Sequence, residues 1–278
     1  VPNIAGARRY IEVPAPAPKV GGLFAVARVI DTTDPHDLLG AEYQTDSCLP
    51  AQHWSAGNCG YGYPESLCNP DPDPVATLKT LRGIGTLVTG DPFTVYDGIE
   101  CEPIGYASEE LAAKAKASLL LKEAVQVEKH IEALIMAMDT DITPSGTPVD
   151  IVAAVGLLEE WLDVNYAGLG MMHMARKYAT WAINANVVGA GLDGTLATIQ
   201  GTPVANAAGY APTDQIIGAT GQITLLRGPV MVNYAPPVVN GLTCEPPRVV
   251  AERTFVPLIE CGAATVKVAR VSALVAEA

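Results

Sequence analysis

Six cysteines and four histidines carry most of what this chain could use for metal, redox or proton-transfer chemistry. Three of the thiols, Cys48, Cys59 and Cys68, lie in one stretch with His53, with ten and eight residues between them. Zinc sites favour close Cys-x-x-Cys pairs, which these gaps do not supply. Buried or free thiols lead this reading, a disulfide within or between subunits comes second, and a metal site last. His173 is embedded in Met171-Met172-His173-Met174, with no base or nucleophile beside it, and reads as a hydrogen-bonded core or interface histidine. Glu109-Glu110 and Glu159-Glu160 are adjacent carboxylates, the raw material of an acid–base pair. Each falls on an expected helix, where capping or a solvated face explains it. Gly189-Ala190-Gly191-Leu192-Asp193-Gly194 has the spacing of a dinucleotide-binding loop, followed by Asp214. That loop needs a strand before it and a helix after it, and here the order is reversed. No G-x-S-x-G elbow, H-E-x-x-H or P-loop lysine motif occurs. No catalytic, cofactor-binding or metal-ligating residue is assigned, no cofactor is expected, and the chain reads as a non-enzyme.

Composition narrows the classes further. The chain has 278 residues, 17 basic against 30 acidic, a net charge of -13, 17% charged residues and 49% hydrophobic ones. Disorder needs the opposite balance. A protein built to grip nucleic acid needs clustered Lys and Arg, which are scarce here. No apolar run reaches the length of a membrane helix and no basic-apolar leader opens the sequence, so a protein made in a reducing cytoplasm is expected, with no membrane partner.

The elements that must position these residues mix helix and strand without βαβ alternation, an α+β pattern. Pro14, Pro16 and Pro18 mark an extended arm, and residues 20–30 read as a strand. Residues 46–74 show no apolar period and end in the proline run at 69–74. Asp97-Gly98 between apolar runs predicts a hairpin over 93–101. A helix is predicted over 108–138, capped by Ser108, with Glu110 and Lys114 paired outside. Its expected apolar stripe is Ala113, Ala117, Leu120, Ala124, Val127, Ile131, Leu134 and Met138. Thr147 to Asp150 resembles a capping box for a helix running to Asn165, with Ile151, Val155, Leu158 and Leu162 inside. A buried strand over 168–173, a helix over 175–186 ended by Gly189, and strands at 195–199 and 204–207 follow. Strands at 215–219 and 222–226 are expected to pair across Thr220-Gly221, and β-rich runs at 248–259 and 264–271 close the chain.

Taken in that order, the chain resembles the capsid fold of tailed double-stranded-DNA phages, the Hong Kong 97 fold shared with encapsulin nanocompartments. The helix at 108–138 is similar to that family's spine helix, and residues 147–186 match the helix–strand–helix order of its axial domain. Gly201-Thr202-Pro203-Val204 is similar to a turn many of these proteins carry, and the strands at 215–226 resemble a hairpin segment. Arg253 to Ile259, Gly262-Ala263-Ala264 and Thr265 to Val268 look like the strands that close beside the spine helix. The resemblance implies an N-terminal arm (1–22), an extended loop region (23–100) with a Cys-bearing insertion (46–82), and a peripheral domain with the spine helix (101–145). An axial domain (146–242) and return strands of the peripheral domain (243–278) complete it. It implies a major capsid protein in the virion, assembled in the host cytoplasm from hexamers and pentamers of itself. Decoration, scaffolding and portal proteins would be partners, and packaged DNA would be enclosed without specific binding. An encapsulin-type compartment or a head–tail connector or tail protein are the alternatives. If residues 23–45 overlap a neighbour, their deletion should leave monomers or small rings.

Overall fold

A computed structural model describes residues 16–45, 48, 87–100, 107–191, 194–210, 216–235, 238–240, 243–245 and 248–269. Cys59, Cys68, Cys101, His53, Asp214 and the proline run at 69–74 lie outside them. In chain order the elements begin with α1 (Leu23–Val26), β1 (Arg28–Asp31), β2 (Ala41–Gln44), β3 (Leu87–Gly90), β4 (Phe93–Glu100) and α2 (Ser108–Met138). Next come β5 (Asp139–Asp141), α3 (Ile151–Asn165), β6 (Met171–Ala175), α4 (Arg176–Asn184), β7 (Val188–Ala190), β8 (Leu196–Thr198) and β9 (Val204–Ala207). The last are β10 (Ile216–Thr220), β11 (Ile223–Arg227), β12 (Met231–Ala235), β13 (Val238–Asn240), β14 (Thr243–Glu245), β15 (Arg248–Ile259) and β16 (Ala263–Lys267).

Two five-stranded sheets organise these elements. In the first, the order is β1-β11-β15-β12, and β4 pairs with the other edge of β15; β1 is parallel to β11 and the remaining pairs are antiparallel. In the second, the order is β5-β16-β10-β6-β9, with parallel pairs at both ends. The long helix α2 lies along β4 and β15 of the first sheet, while α3 packs on β16 and β10 of the second. The expected rod over 108–138 is present with those bounds, and its amphipathic length of about 46 Å follows from 1.5 Å per residue.

The buried face of α2 differs from the expected stripe. Leu111, Ala115, Leu119, Glu123, Val127, Ile131 and Ile135 are buried, whereas Ala113, Ala117 and Leu120 are exposed. Each step of four residues advances about 40° beyond a full turn, so this series winds around the helix. The winding follows a change of partner: Ile135 touches Gly218 of the second sheet, far along the helix from its seat on the first. A straight-stripe reading could not anticipate that. Nor is Ser108 the cap; Ala107 takes that position and its N–H donates to the Glu110 carboxylate at 3.1 Å.

Other local expectations change for identifiable reasons. Residues 20–30 form α1 followed by β1 rather than one strand, because Gly21 takes a left-handed φ of 80° and bends the chain into the turn. Leu23 is fully buried and β1 pairs with β11, so the start of the 23–45 segment belongs to the chain's own core. Deleting 23–45 would therefore remove core structure along with any overlapping loop. Asp97-Gly98 forms no hairpin: β4 is continuous across it and pairs with β15 throughout. The α3 cap is Asp150, whose carboxylate accepts from Val152 and Ala153 N–H at 2.8 and 2.9 Å, not Thr147. Helix α4 ends at Asn184, Asn186 turns the chain with a φ of 57°, and Val187 N–H returns to Ala182 C=O at 3.0 Å; Gly189 lies beyond, in β7. The segments around Thr220-Gly221 do not pair with each other, since β10 belongs to the second sheet and β11 to the first.

Candidate functional site: a helix clamped on a sheet

With most charges absent from the sequence, the few that are buried show where the fold is held. Glu123 and Arg253 form one such pair, with Nη1 2.9 Å from a carboxylate oxygen and side chains 8% and 14% exposed. It ties the middle of α2 to the middle of β15. Burial pushes the Glu123 carboxyl above its ordinary range even with the Arg253 guanidinium beside it, so desolvation outweighs attraction there. One turn nearer the helix start, Asp97 of β4 accepts from Ser118 Oγ at 2.5 Å and from Lys122 Nζ at 2.7 Å. Between helix and sheet, Phe93 stacks on His130 at 3.8 Å and on Phe255 at 5.7 Å, and Phe24 stacks on Phe255 at 5.9 Å.

Glu128 fastens the helix to two further segments. Its carboxylate accepts from Leu23 N–H at 3.1 Å and from Gly209 N–H at 2.8 Å. Such close approach requires glycine: a Cβ on Gly209 would sit 2.4 Å from Val125 C=O of the helix backbone. Sequence reading passed over Glu123 and Glu128 because carboxylates count against an apolar face. A signal was present, since Glu123 falls in register with Leu111, Ala115, Leu119, Val127 and Ile131 at intervals of four.

Of the residues singled out for chemistry, His173, Glu159 and Cys48 are held by structural contacts. His173 is buried, as expected of a core histidine, with Nδ1 2.8 Å from Tyr210 Oη and Nε2 2.8 Å from Thr220 Oγ1. The Thr220 hydroxyl donates its hydrogen to Gly221 C=O at 2.9 Å. It therefore accepts from Nε2–H, and Nδ1 accepts from the Tyr210 hydroxyl. Burial pushes the His173 pKa down to about 3, so the ring is neutral near pH 7. Glu159 is not on a solvated face: it is buried and accepts from the hydroxyls of Thr198 at 2.5 Å and Thr202 at 2.7 Å, fixing the turn between β8 and β9. Glu160 points to solvent, so the two do not converge as a catalytic pair. Gly189 and Ala190 of that motif are part of β7, which follows α4 and pairs antiparallel with β8, so strand follows helix, the order opposite to a nucleotide loop. Cys48 is disulfide-bonded, not to a neighbour in its own cluster but to Cys261. Among the described residues, no three His, Cys, Asp or Glu side chains gather as a metal site, and no helix is long and apolar enough to cross a membrane.

The surface, by contrast, leaves large apolar side chains uncovered at the margins. Leu39, Leu169 and Ile199 are 76%, 64% and 72% exposed. The edge strand β12, Met231-Val232-Asn233-Tyr234-Ala235, is exposed along its whole length and carries no charge. Single-chain proteins usually protect such edges with charge or proline. A cavity of about 600 Å³ between the β7–β8 hairpin and Ala25-Val26 opens beside Leu169 and Ile199.

No family model matches the chain, and no curated protein matches it in sequence. Solved structures do. A structure from Microbacterium phage Oxtober96 superposes with a TM-score of 0.55 at 11% identity, covering 95% of this chain and 96% of that one. The capsid of a native GTA particle gives 0.53 at 12% identity, covering 96% of each chain. The capsid of cyanophage P-SCSP1u gives 0.50 at 12%, covering 96% and 94%. The likeness covers nearly the whole of this chain and of each of those, so this arrangement of a long helix clamped along a mixed sheet, with a second sheet beside it, is the Hong Kong 97 capsid fold.

Proposed function

We propose that this chain is a shell protein, the major capsid protein of a tailed phage, which encloses a genome by assembling with many copies of itself. The observation that carries the reading is coverage: capsid structures account for nearly the whole chain and are themselves nearly wholly accounted for by it. A tile stiffened by α2 and β15, with the uncharged edge strand β12 left open, suits that role. The same reading divides the chain into an arm (1–22), an extended loop region (23–100) whose first residues sit in the chain's own sheet, and a peripheral domain with the spine helix (101–145). It assigns 146–242 to an axial domain and 243–278 to return strands, and assigns no catalytic, cofactor or metal residue. Hexamers and pentamers would build the shell in the host cytoplasm, with decoration, scaffolding and portal proteins as partners. The net charge of -13 would repel packaged DNA rather than hold it.

Sedimentation velocity of the full chain tests the reading. Megadalton particles are expected. A species that stays at the 29.0 kDa of one chain under native conditions, with or without co-expressed scaffold, contradicts it.

A further inference from the structure

We infer that Cys48 and Cys261 form a redox-responsive staple: two thiols that a small-molecule disulfide converts into the Cys48–Cys261 bond, fixing the β2–β3 ribbon to the turn between β15 and β16. Their Cα atoms are 4.8 Å apart, within the span a disulfide bridges, although 213 positions separate them in sequence. The ribbon is already seated at this place without the bond. Tyr43 of β2 donates its hydroxyl to Ile259 C=O at 2.6 Å and accepts from Ile259 N–H at 2.8 Å. Reduced thiols would thus be held near one another rather than having to find each other, which raises their effective concentration.

Access and backbone point the same way. Both cysteines are half-buried and line a cavity of about 590 Å³ that is also bounded by Tyr43 and His130, so a small disulfide can reach them. Disulfides that a small thiol or disulfide can reach are the exchangeable ones. Cys261 takes a left-handed φ of 63° immediately before Gly262 at 73°, a conformation that suits Gly or Asn and has no backbone reason to hold cysteine. The chemistry balances. One thiolate attacks the small disulfide, releasing a small thiol and leaving a mixed disulfide; the second thiolate then displaces the other small thiol. Two protein thiols and one small disulfide become one protein disulfide and two small thiols, a two-electron oxidation of the protein. The ring so closed contains α2, α3, α4 and most of both sheets. Gln44, four residues before Cys48, pairs with Leu87 at the end of the β2–β3 ribbon, so the bond stands close to that end.

This inference is independent of the shell reading, because a single chain can carry it. The test incubates the purified full chain with dithiothreitol or with glutathione disulfide, maps linked peptides by mass spectrometry without reduction, and follows thermal unfolding. Oxidation should yield a peptide linking Cys48 to Cys261 and raise the melting temperature by roughly 5–15 °C, and dithiothreitol should reverse both without unfolding the protein. Cys48→Ser and Cys261→Gly, the second of which also relieves the left-handed φ, should each abolish the redox-dependent shift. The inference is overturned if Cys48 or Cys261 links to another cysteine instead. A shift that persists in Cys48→Ser, or a bond that resists dithiothreitol until the chain unfolds, also overturns it.

Discussion

Lowering the pH from 7 to 4 is expected to remove about 3 kcal/mol of folding stability through His173 alone, the figure that follows from a folded pKa of about 3 and an unfolded value of 6.5. The sign follows from proton uptake. Below pH 6.5 the unfolded chain binds a proton that the buried ring refuses, so stability falls progressively down to pH 3. Protonation would also turn Nδ1 into a donor, when it accepts from Tyr210, itself held protonated by burial and by the nearby Glu128 and Glu132 carboxylates. Other groups titrate too. Glu123, with its raised pKa, favours the fold more at low pH, and the Asp141 contribution, from a carboxyl held at about 2 by Lys267 and Thr143, starts to fade below pH 4. The comparison that isolates His173 is urea unfolding of the parent and of His173→Gln at pH 7, 5 and 4. The variant should lose most of the parent's decline between pH 6.5 and 4. An equal decline in both would place the acid sensitivity elsewhere.

Replacing Arg253 by methionine should cost about 3–5 kcal/mol, because it leaves the Glu123 carboxylate buried between α2 and β15 without its cation. The prediction sharpens in the double variant. Arg253→Met with Glu123→Met removes both charges and should be markedly more stable than the single change, since burying the pair is itself costly and Arg253 Nε is buried without a hydrogen-bond partner. Denaturant midpoints of the parent, both single variants and the double variant complete the cycle. If the double variant loses as much as the two singles added together, the pair is not coupled and the clamp is not where we place it.

The parts of this fold that were legible were those where local pattern and tertiary partner agree. The 31-residue rod and the Ile151, Val155, Leu158, Leu162 face of α3 follow from periodicity and length, whereas the seat of the rod along β15 follows only from the resemblance to the capsid family. The illegible parts are those where a distant partner overrides a local signal. Asp97-Gly98 has turn chemistry, yet Asp97 is consumed by Ser118 and Lys122 and the strand runs straight through. Thr220-Gly221 looks like a hairpin, yet it hands the chain from one sheet to the other. Glu159 looks like a surface residue until Thr198 and Thr202, some forty positions later, bring their hydroxyls to it. Among the candidates for chemistry, His173 was readable as core from its apolar neighbours, whereas the Cys48–Cys261 pairing was not, since spacing grouped Cys48 with Cys59 and Cys68.

Electron cryomicroscopy of particles formed by the full chain tests the central claim most directly. The account predicts closed icosahedral shells whose wall density accommodates the α2–β15 tile as a repeating unit. Open tubes, fixed-symmetry rings, or a wall in which α2 lies apart from β15 would contradict it.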